Sequence, residues 1–294
     1  SAHRTAADLL EAGVHVSALI DARHDATTDL DLPFYPGAQV CNTEGRMGLE
    51  AISVAQGAGV EKIKTEALAV SGGWNPTLHL TCHMNGRPAW DDAIAAFRPT
   101  RGAVPGLTTA GACDGAFSTR ACLQAGMEAA RAALEDLGRK PVSVDLPPAE
   151  DSAYDISPLW VVPGKGRAWL DFQNDVTVKD VEQAAVENFR SVEHMKRYTT
   201  QGMAPDQGKS SNVGALAVLA EATGASIPET GTTTFRPPYV PVPIAAMGAG
   251  AQGKGFAPER LTTSHDFTLA RGAPVIEAGL WYRPSYFPRT GERT

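Results

Sequence analysis

Gly106–Leu134, GLTTAGACDGAFSTRACLQAGMEAARAAL, decides how the rest of the chain is read. It opens with a short apolar stretch and passes through Ala110, Gly111, Ala112 and Cys113. It turns at Asp114-Gly115 and enters a helix whose apolar positions include Ala121, Leu123, Ala125, Met127, Ala130 and Ala133. A strand, a small-residue turn and a helix N-terminus place backbone N–H groups where an anion can meet them. Small side chains allow a ligand to approach the backbone closely. An ordinary, tightly packed strand–turn–helix has the same local pattern, so the surrounding sequence has to decide.

Upstream, Glu66–Trp74 (EALAVSGGW) reads as an apolar strand ending at Gly72-Gly73, followed by a turn at Asn75-Pro76-Thr77. Near the start, His3–Gly13 reads as a helix stopped by glycine, and His15–Ile20 as a buried strand ending at Asp21. Helix, glycine, strand and terminal acid match the second half of a Rossmann βαβ unit, where the acid can bond a ribose hydroxyl. A solvated acid at a strand end is the other reading of Asp21. No GxGxxG strand–turn–helix precedes it in this chain, so the sequence reads as part of something longer. Between them, Ala38–Thr43, Leu49–Ala55 and Val60–Val70 are strand-like runs divided by glycines, the pattern of an antiparallel meander.

Composition narrows the function classes. The chain has 294 residues, is 43% hydrophobic and carries a net charge of −7. It can build real cores, and it offers no global charge for nucleic acid. No apolar run approaches the ~20 residues that span a bilayer. Cys41, Cys82, Cys113 and Cys122 form no CxxC pair, which suggests free thiols in a reducing, cytoplasmic compartment. His79 and His83 stand four apart, a metal-ligating spacing on a helix. Leu78, Leu80 and Cys82 alternate with them, so an extended stretch is expected instead and no metal site is assigned. No residue constellation stands out as catalytic.

Pro141–Pro158, rich in proline and acid, reads as a linker. Beyond it, Trp160–Pro163 and Ala168–Asp171 are strand-like, Thr177 with Asp180 forms a helix cap, and helices are expected over Val178–Asn188, Val192–Thr199 and Val213–Thr223. His194, Lys196 and Arg197 make a basic helical patch. Ala225–Arg260, with Pro237, Pro238, Pro241 and Pro243, is expected to be an extended arm that buries little. Gly248–Gly253 fits GxGxxG but is rejected as a nucleotide site, because proline breaks the flanking segments. Order resumes with a helix around His265–Arg271 and strands over Val275–Leu280 and Trp281–Pro288.

SGGWNPTLHL followed by AGACDGAFST resembles the alpha subunits of heterotetrameric sarcosine oxidase. DFQNDVTVKDVEQAAVENFRSVEHMKRYTTQGMAPDQGK resembles the small helical module of those subunits, and TTSHDFTLARGAPVIEAGLWYRPSYFP the opening of their folate-binding, aminomethyltransferase-like domain. The fold class expected is α/β: the closing part of a two-dinucleotide-binding, Rossmann-like oxidoreductase domain (1–146), a linker (147–158), the helical module (159–224), the arm (225–260) and the start of the aminomethyltransferase-like domain (261–294). The resemblance implies an NAD-binding subunit supporting oxidative demethylation of sarcosine to glycine, with one-carbon transfer to tetrahydrofolate. It implies FAD and FMN on a partner, and beta, gamma and delta subunits as partners. Gly111, Ala112, Phe117 and Thr119 match the NAD-contacting motif, with Gly72, Gly73 and Asp21 as further contacts. Opine-type relatives of the module hold a [2Fe–2S] cluster on cysteines. Here no cysteine follows Cys122, and Asp171, Gln173 and Asp206 stand where sulfur would be needed, so no cluster is expected. The alternatives are a subunit of a related opine, proline or cyanide-forming amine dehydrogenase, and a non-catalytic nucleotide-binding scaffold.

Overall fold

The computed structural model describes residues 2–164, 166–248, 253 and 258–292. The chain divides into two compact units, Ser1–Val240 and Pro241–Thr294.

The first unit begins with helix α1 (Ala2–Glu11), stopped near Gly13 as its sequence predicts. Strand β1 (Leu19–Asp21) follows and pairs in parallel with β2 (Phe34–Pro36). The expected meander forms: β3 (Ala38–Glu44), β4 (Ala51–Gln56) and β5 (Gly59–Lys64) make an antiparallel sheet in chain order. Its inner face is built on Ala38, Ile52 and Val54, with Ile20, Tyr35 and Val40 packed against them.

Some of the strands read from sequence do not form, Trp160–Pro163 among them. The run expected to continue to Val70 stops at Lys64, and Glu66–Trp74 is irregular. Val70 is 82% exposed and Trp74 61%. A parallel strand is held by neighbours remote in sequence, and none runs beside this segment among the described residues. The apolar stretch before Gly111 likewise remains irregular.

His79–His83 is helix α2, not the extended stretch its alternation suggests. Leu78, His79, Thr81 and Cys82 are buried while Leu80 is 56% exposed. Thr81 Oγ1 donates to the Leu78 carbonyl at 2.9 Å, closing the turn. A hairpin of β6 (Ala89–Asp91) and β7 (Ala96–Arg98) follows. A 3₁₀ turn at Gly111–Asp114 leads into α3 (Thr119–Asp136), capped by Ser118.

The helical module forms as its caps predict. Strands β8 (Trp169–Asp171) and β9 (Val176–Thr177) form a short hairpin. Helix α4 (Val178–Val186) starts in a capping box, in which the Asp180 carboxylate accepts from the Thr177 amide at 2.7 Å and hydroxyl at 2.6 Å. Helices α5 (Val192–Thr199), α6 (Asn212–Thr223) and the single turn α7 (Ile227–Thr230) complete it. Its core holds Val181, Met195, Leu216 and Leu219, all at 0% exposure. Leu78, Cys82 and Phe97 from the earlier half belong to the same cluster. So does Phe235, 5% exposed, which corrects the expectation that the proline-rich arm buries little: its first part runs into this core.

The second unit carries the short helix α8 (Ile244–Met247), then β10 (Arg260–Leu261), α9 (His265–Ala270), β11 (Val275–Ala278) and β12 (Trp281–Pro284). β12 is central, antiparallel to β11 and parallel to β10. Trp281, Tyr286 and Phe287 are each more than 40% exposed. Most of the Gly248–Gly253 motif lies outside the described residues. No described helix is long and apolar enough to cross a membrane.

Candidate functional site

Three corners of the first unit hold the residues that sequence singles out. At the first, Asp21 ends β1. Its Oδ1 accepts from the Arg23 amide and Nε, both at 3.0 Å. Its Oδ2 accepts from Arg23 Nη2 at 2.7 Å and from His3 Nε2 at 2.8 Å. The guanidinium fork of Arg23 holds this carboxyl far below the usual carboxylate range, against the opposing effect of burial. Its carboxylate pulls the Arg23 pKa up in turn. A carboxylate offers about four lone-pair sites, and all four are in use. A ribose hydroxyl would have to displace one of these donors.

At the second corner, Gly111 takes φ +72°, a left-handed conformation that suits glycine. Asp114 is buried, ion-paired to Arg101 Nη2 at 3.1 Å, and accepts from Thr109 Oγ1 at 3.3 Å, which fixes the turn. Ser118 Oγ accepts from the Ala121 amide at 3.1 Å and donates to Asp151 Oδ1 at 2.8 Å. Ala112 and Thr119 are exposed at the start of the 3₁₀ turn and of α3. The first N–H groups of a helical turn have no acceptor within it. Small, open side chains around such N–H groups fit a phosphate.

The third corner is Gly72-Gly73. Nothing approaches Gly72, but a Cβ at Gly73 would lie 2.7 Å from both Ile156 Cδ1 and Tyr154 Oη. Tyr154 Oη accepts from the Trp74 amide at 3.0 Å, and its ring lies 4.5 Å, centroid to centroid, from Phe117.

What joins the corners is the segment 150–156, which sequence reasoning treats as linker. Glu150 pairs with Arg4 and its carbonyl accepts from the Arg120 amide; Asp151 bonds Ser118; Tyr154 covers Gly73 and Phe117; Asp155 pairs with Arg23 at 2.9 Å. An available signal was the three acids Glu150, Asp151 and Asp155 and the aromatic–aliphatic pair Tyr154 and Ile156 near prolines, with Arg4 and Arg23 as partners for two of the acids. Gly111, Ala112, Phe117, Thr119 and Gly73 are thus brought to one region, and Asp21 is tied to it through Arg23 and Asp155.

In the helical module, Asp171 is 2% exposed and gathers three backbone amides: Gln173 at 2.9 Å, Asn174 at 3.2 Å and Gly202 at 2.8 Å. Asp206 Oδ1 accepts from the Gly208 amide at 3.3 Å. Each of these carboxylates clasps a loop through backbone amides. Among the described residues no group of three or more His, Cys, Asp or Glu could hold a metal ion.

Residues 165–251 match the family described as Sarcosine oxidase A3 domain. The whole chain is similar to "Sarcosine oxidase subunit alpha" of Rhizobium meliloti (strain 1021), 44% identical over 299 residues, covering 98% of this chain and 30% of that protein. This chain is a homologue of the sarcosine oxidase alpha subunit. The subunit of that name from Corynebacterium sp. (strain U-96) is 37% identical over 96% of this chain and 32% of its own length. The chain therefore spans about a third of the alpha subunits it matches. Among solved structures, L-proline dehydrogenase from P. horikoshii matches with a TM-score of 0.58 at 17% identity, covering 84% of this chain and 48% of that one. At that identity the likeness concerns the fold alone.

Proposed function

We propose that this chain is the dinucleotide-binding and helical part of a sarcosine oxidase alpha subunit, acting only within a hetero-oligomer. Identity of 44% over nearly the whole chain to a subunit of that name carries the reading. The open small-residue turn ahead of α3 supports it from the geometry. In this reading the N–H groups at Gly111 and Ala112, in the turn ahead of α3, hold the diphosphate of NAD. Gly72 leaves room for it, and Phe117 and Thr119 flank it. Asp21, already saturated, orients Arg23 and reaches a ribose only by exchange with one of its present donors. When bound, the nicotinamide nucleotide supplies hydride-accepting capacity or a purely structural group; the chain's own residues bind and orient it. FAD and FMN, and the oxidation of sarcosine, belong to the partner. Residues 261–294 begin the domain that takes tetrahydrofolate.

The test is Ala112→Trp in the subunit complex. The indole would fill the space at the turn, so NAD content falls at least tenfold while the complex assembles. Unchanged NAD stoichiometry in an assembled variant overturns the site. The chain alone, given NAD and tetrahydrofolate, turns over no sarcosine; turnover without a flavoprotein partner overturns the division of labour.

A further inference from the structure

Glu150–Ile156 has no secondary structure of its own, yet it reaches four separate parts of the first unit. The Glu150 carboxylate accepts from Arg4 Nη1 on α1 at 2.8 Å, and the Glu150 carbonyl accepts from the Arg120 amide in the first turn of α3 at 3.1 Å. Asp151 Oδ1 accepts from the Ser118 hydroxyl at 2.8 Å. Tyr154 Oη accepts from the Trp74 amide at 3.0 Å. Asp155 Oδ2 accepts from Arg23 Nη1, just past β1, at 2.9 Å.

These ties differ in strength. Glu150 and Asp155 keep 62% and 64% of their side chains in water, and ion pairs that exposed stabilise little. The half-buried residues are Tyr154 and Ile156. The Tyr154 ring lies 4.5 Å from that of Phe117, tilted at 50°. Tyr154 Oη and Ile156 Cδ1 sit so close over Gly73 that a Cβ there would meet each at 2.7 Å. The segment is fastened by one ring near its middle and by weak pairs on either side. A stretch with few apolar contacts and no ladder of backbone hydrogen bonds opens at small cost, as segments that admit ligands do.

What the ring covers gives the opening a purpose. Tyr154 touches both sides of the candidate site, Phe117 after the Gly111–Asp114 turn and Gly73-Trp74 opposite. A ligand lying from the turn toward Gly72 is enclosed by that ring and leaves past it. We propose that Glu150–Ile156 is a strap that lifts as one piece to admit a dinucleotide and closes over it, with Tyr154 as its latch. The strap rests on the reading that places the nucleotide at Gly111 and Ala112. Arg4 and Arg23 draw its acids back into register after each opening.

The test is hydrogen exchange in the assembled, nucleotide-free subunit complex, read by mass spectrometry on peptides that carry Trp74 and Arg120. Those two amides donate to separate points of the strap. Asp155→Asn removes the pair with Arg23 and touches neither amide; it is expected to speed exchange at both by a common factor of about two to five. Tyr154→Ala is expected to speed both about tenfold. Saturating NAD is expected to slow both in wild type. Stopped-flow mixing with NAD gives a second reading: Tyr154→Ala raises the association and dissociation rates together, whereas loss of a contact alone raises dissociation only. Exchange that changes at one amide and not the other, or an unchanged association rate in Tyr154→Ala, overturns the strap while NAD still binds. A wild-type complex that binds no NAD overturns both the strap and the nucleotide reading beneath it. If Tyr154→Ala fails to assemble, Asp155→Asn decides by the same two readings.

Discussion

Helix α6 buries seven of its twelve residues, whereas α3 buries none of its eighteen. Both are good helix formers by composition, rich in alanine and leucine. The difference lies in what surrounds them. α6 is apolar nearly all round and sits among α4, α7 and β8, elements that lie close to it in the chain. α3 neighbours a 3₁₀ turn and an acidic segment, held by Ser118, Asp151 and Arg120 rather than by a core. A module whose contacts are mostly local builds most of its own interior, and Leu78, Cys82, Phe97 and Phe235 complete it from outside. A parallel α/β arrangement draws its partners from far along the chain, and here its order rests largely on charges and hydrogen bonds.

The sharpest break of this comparison is a matched pair of truncations. Leu216→Ala removes a side chain at 0% exposure and is expected to cost about 2–5 kcal/mol. Leu123→Ala, on α3, is expected to cost about 1 kcal/mol or less. Urea unfolding of the two variants measures both; equal losses would show that α3 has a core of its own.

Next in size is Asp171→Ala. It strands three amides around a buried carboxylate, and a loss of about 2–3 kcal/mol is expected. Asp171→Asn keeps one acceptor oxygen and should recover part of it. Urea midpoints for the two variants check this; an alanine as stable as wild type would mean that the hairpin and Gly202 are not joined by this clasp.

The smallest effect belongs to the earlier half of the chain and depends on pH. The Asp21 carboxyl is held below its unfolded value, near 4, chiefly by Arg23. Its contribution is therefore complete above that unfolded value and is lost as pH falls toward the lower, folded one. Wild type should lose about 1–2 kcal/mol more than Asp21→Asn on acidification from pH 6 to pH 2. Parallel stability–pH profiles for the two would show that Arg23 and His3 are dispensable partners.

Much was legible in short stretches. The Thr177–Asp180 capping box, the β3–β5 meander, the end of α1 near Gly13 and the β11–β12 hairpin are all set by residues within a few positions of one another. Other readings failed where local pattern fits two structures. Alternation over Leu78–His83 suits a strand, but six residues also suit a helical turn with Leu78, His79 and Cys82 turned inward, and the Phe235-containing core selects that one. Glu66–Trp74 has the composition of a buried strand, yet composition supplies no partner. In the candidate site, Gly111, Ala112, Phe117 and Thr119 were legible as a turn before a helix. Their enclosure by Glu150, Asp151 and Tyr154 was not, since those contacts span 30 to 146 residues of chain.

By itself, the sequence determined the caps, turns and periodic faces of this protein, together with its likeness to a family, because those are properties of neighbouring residues. Only the tertiary structure decided that Asp21 is saturated by Arg23 and His3, that an acidic linker closes over Gly73 and Phe117, and that His79 is buried with nothing to bond. Each of these is a matter of distance between groups remote in the chain, and hydrogen bonds and ion pairs act over a few ångströms of space rather than along the sequence.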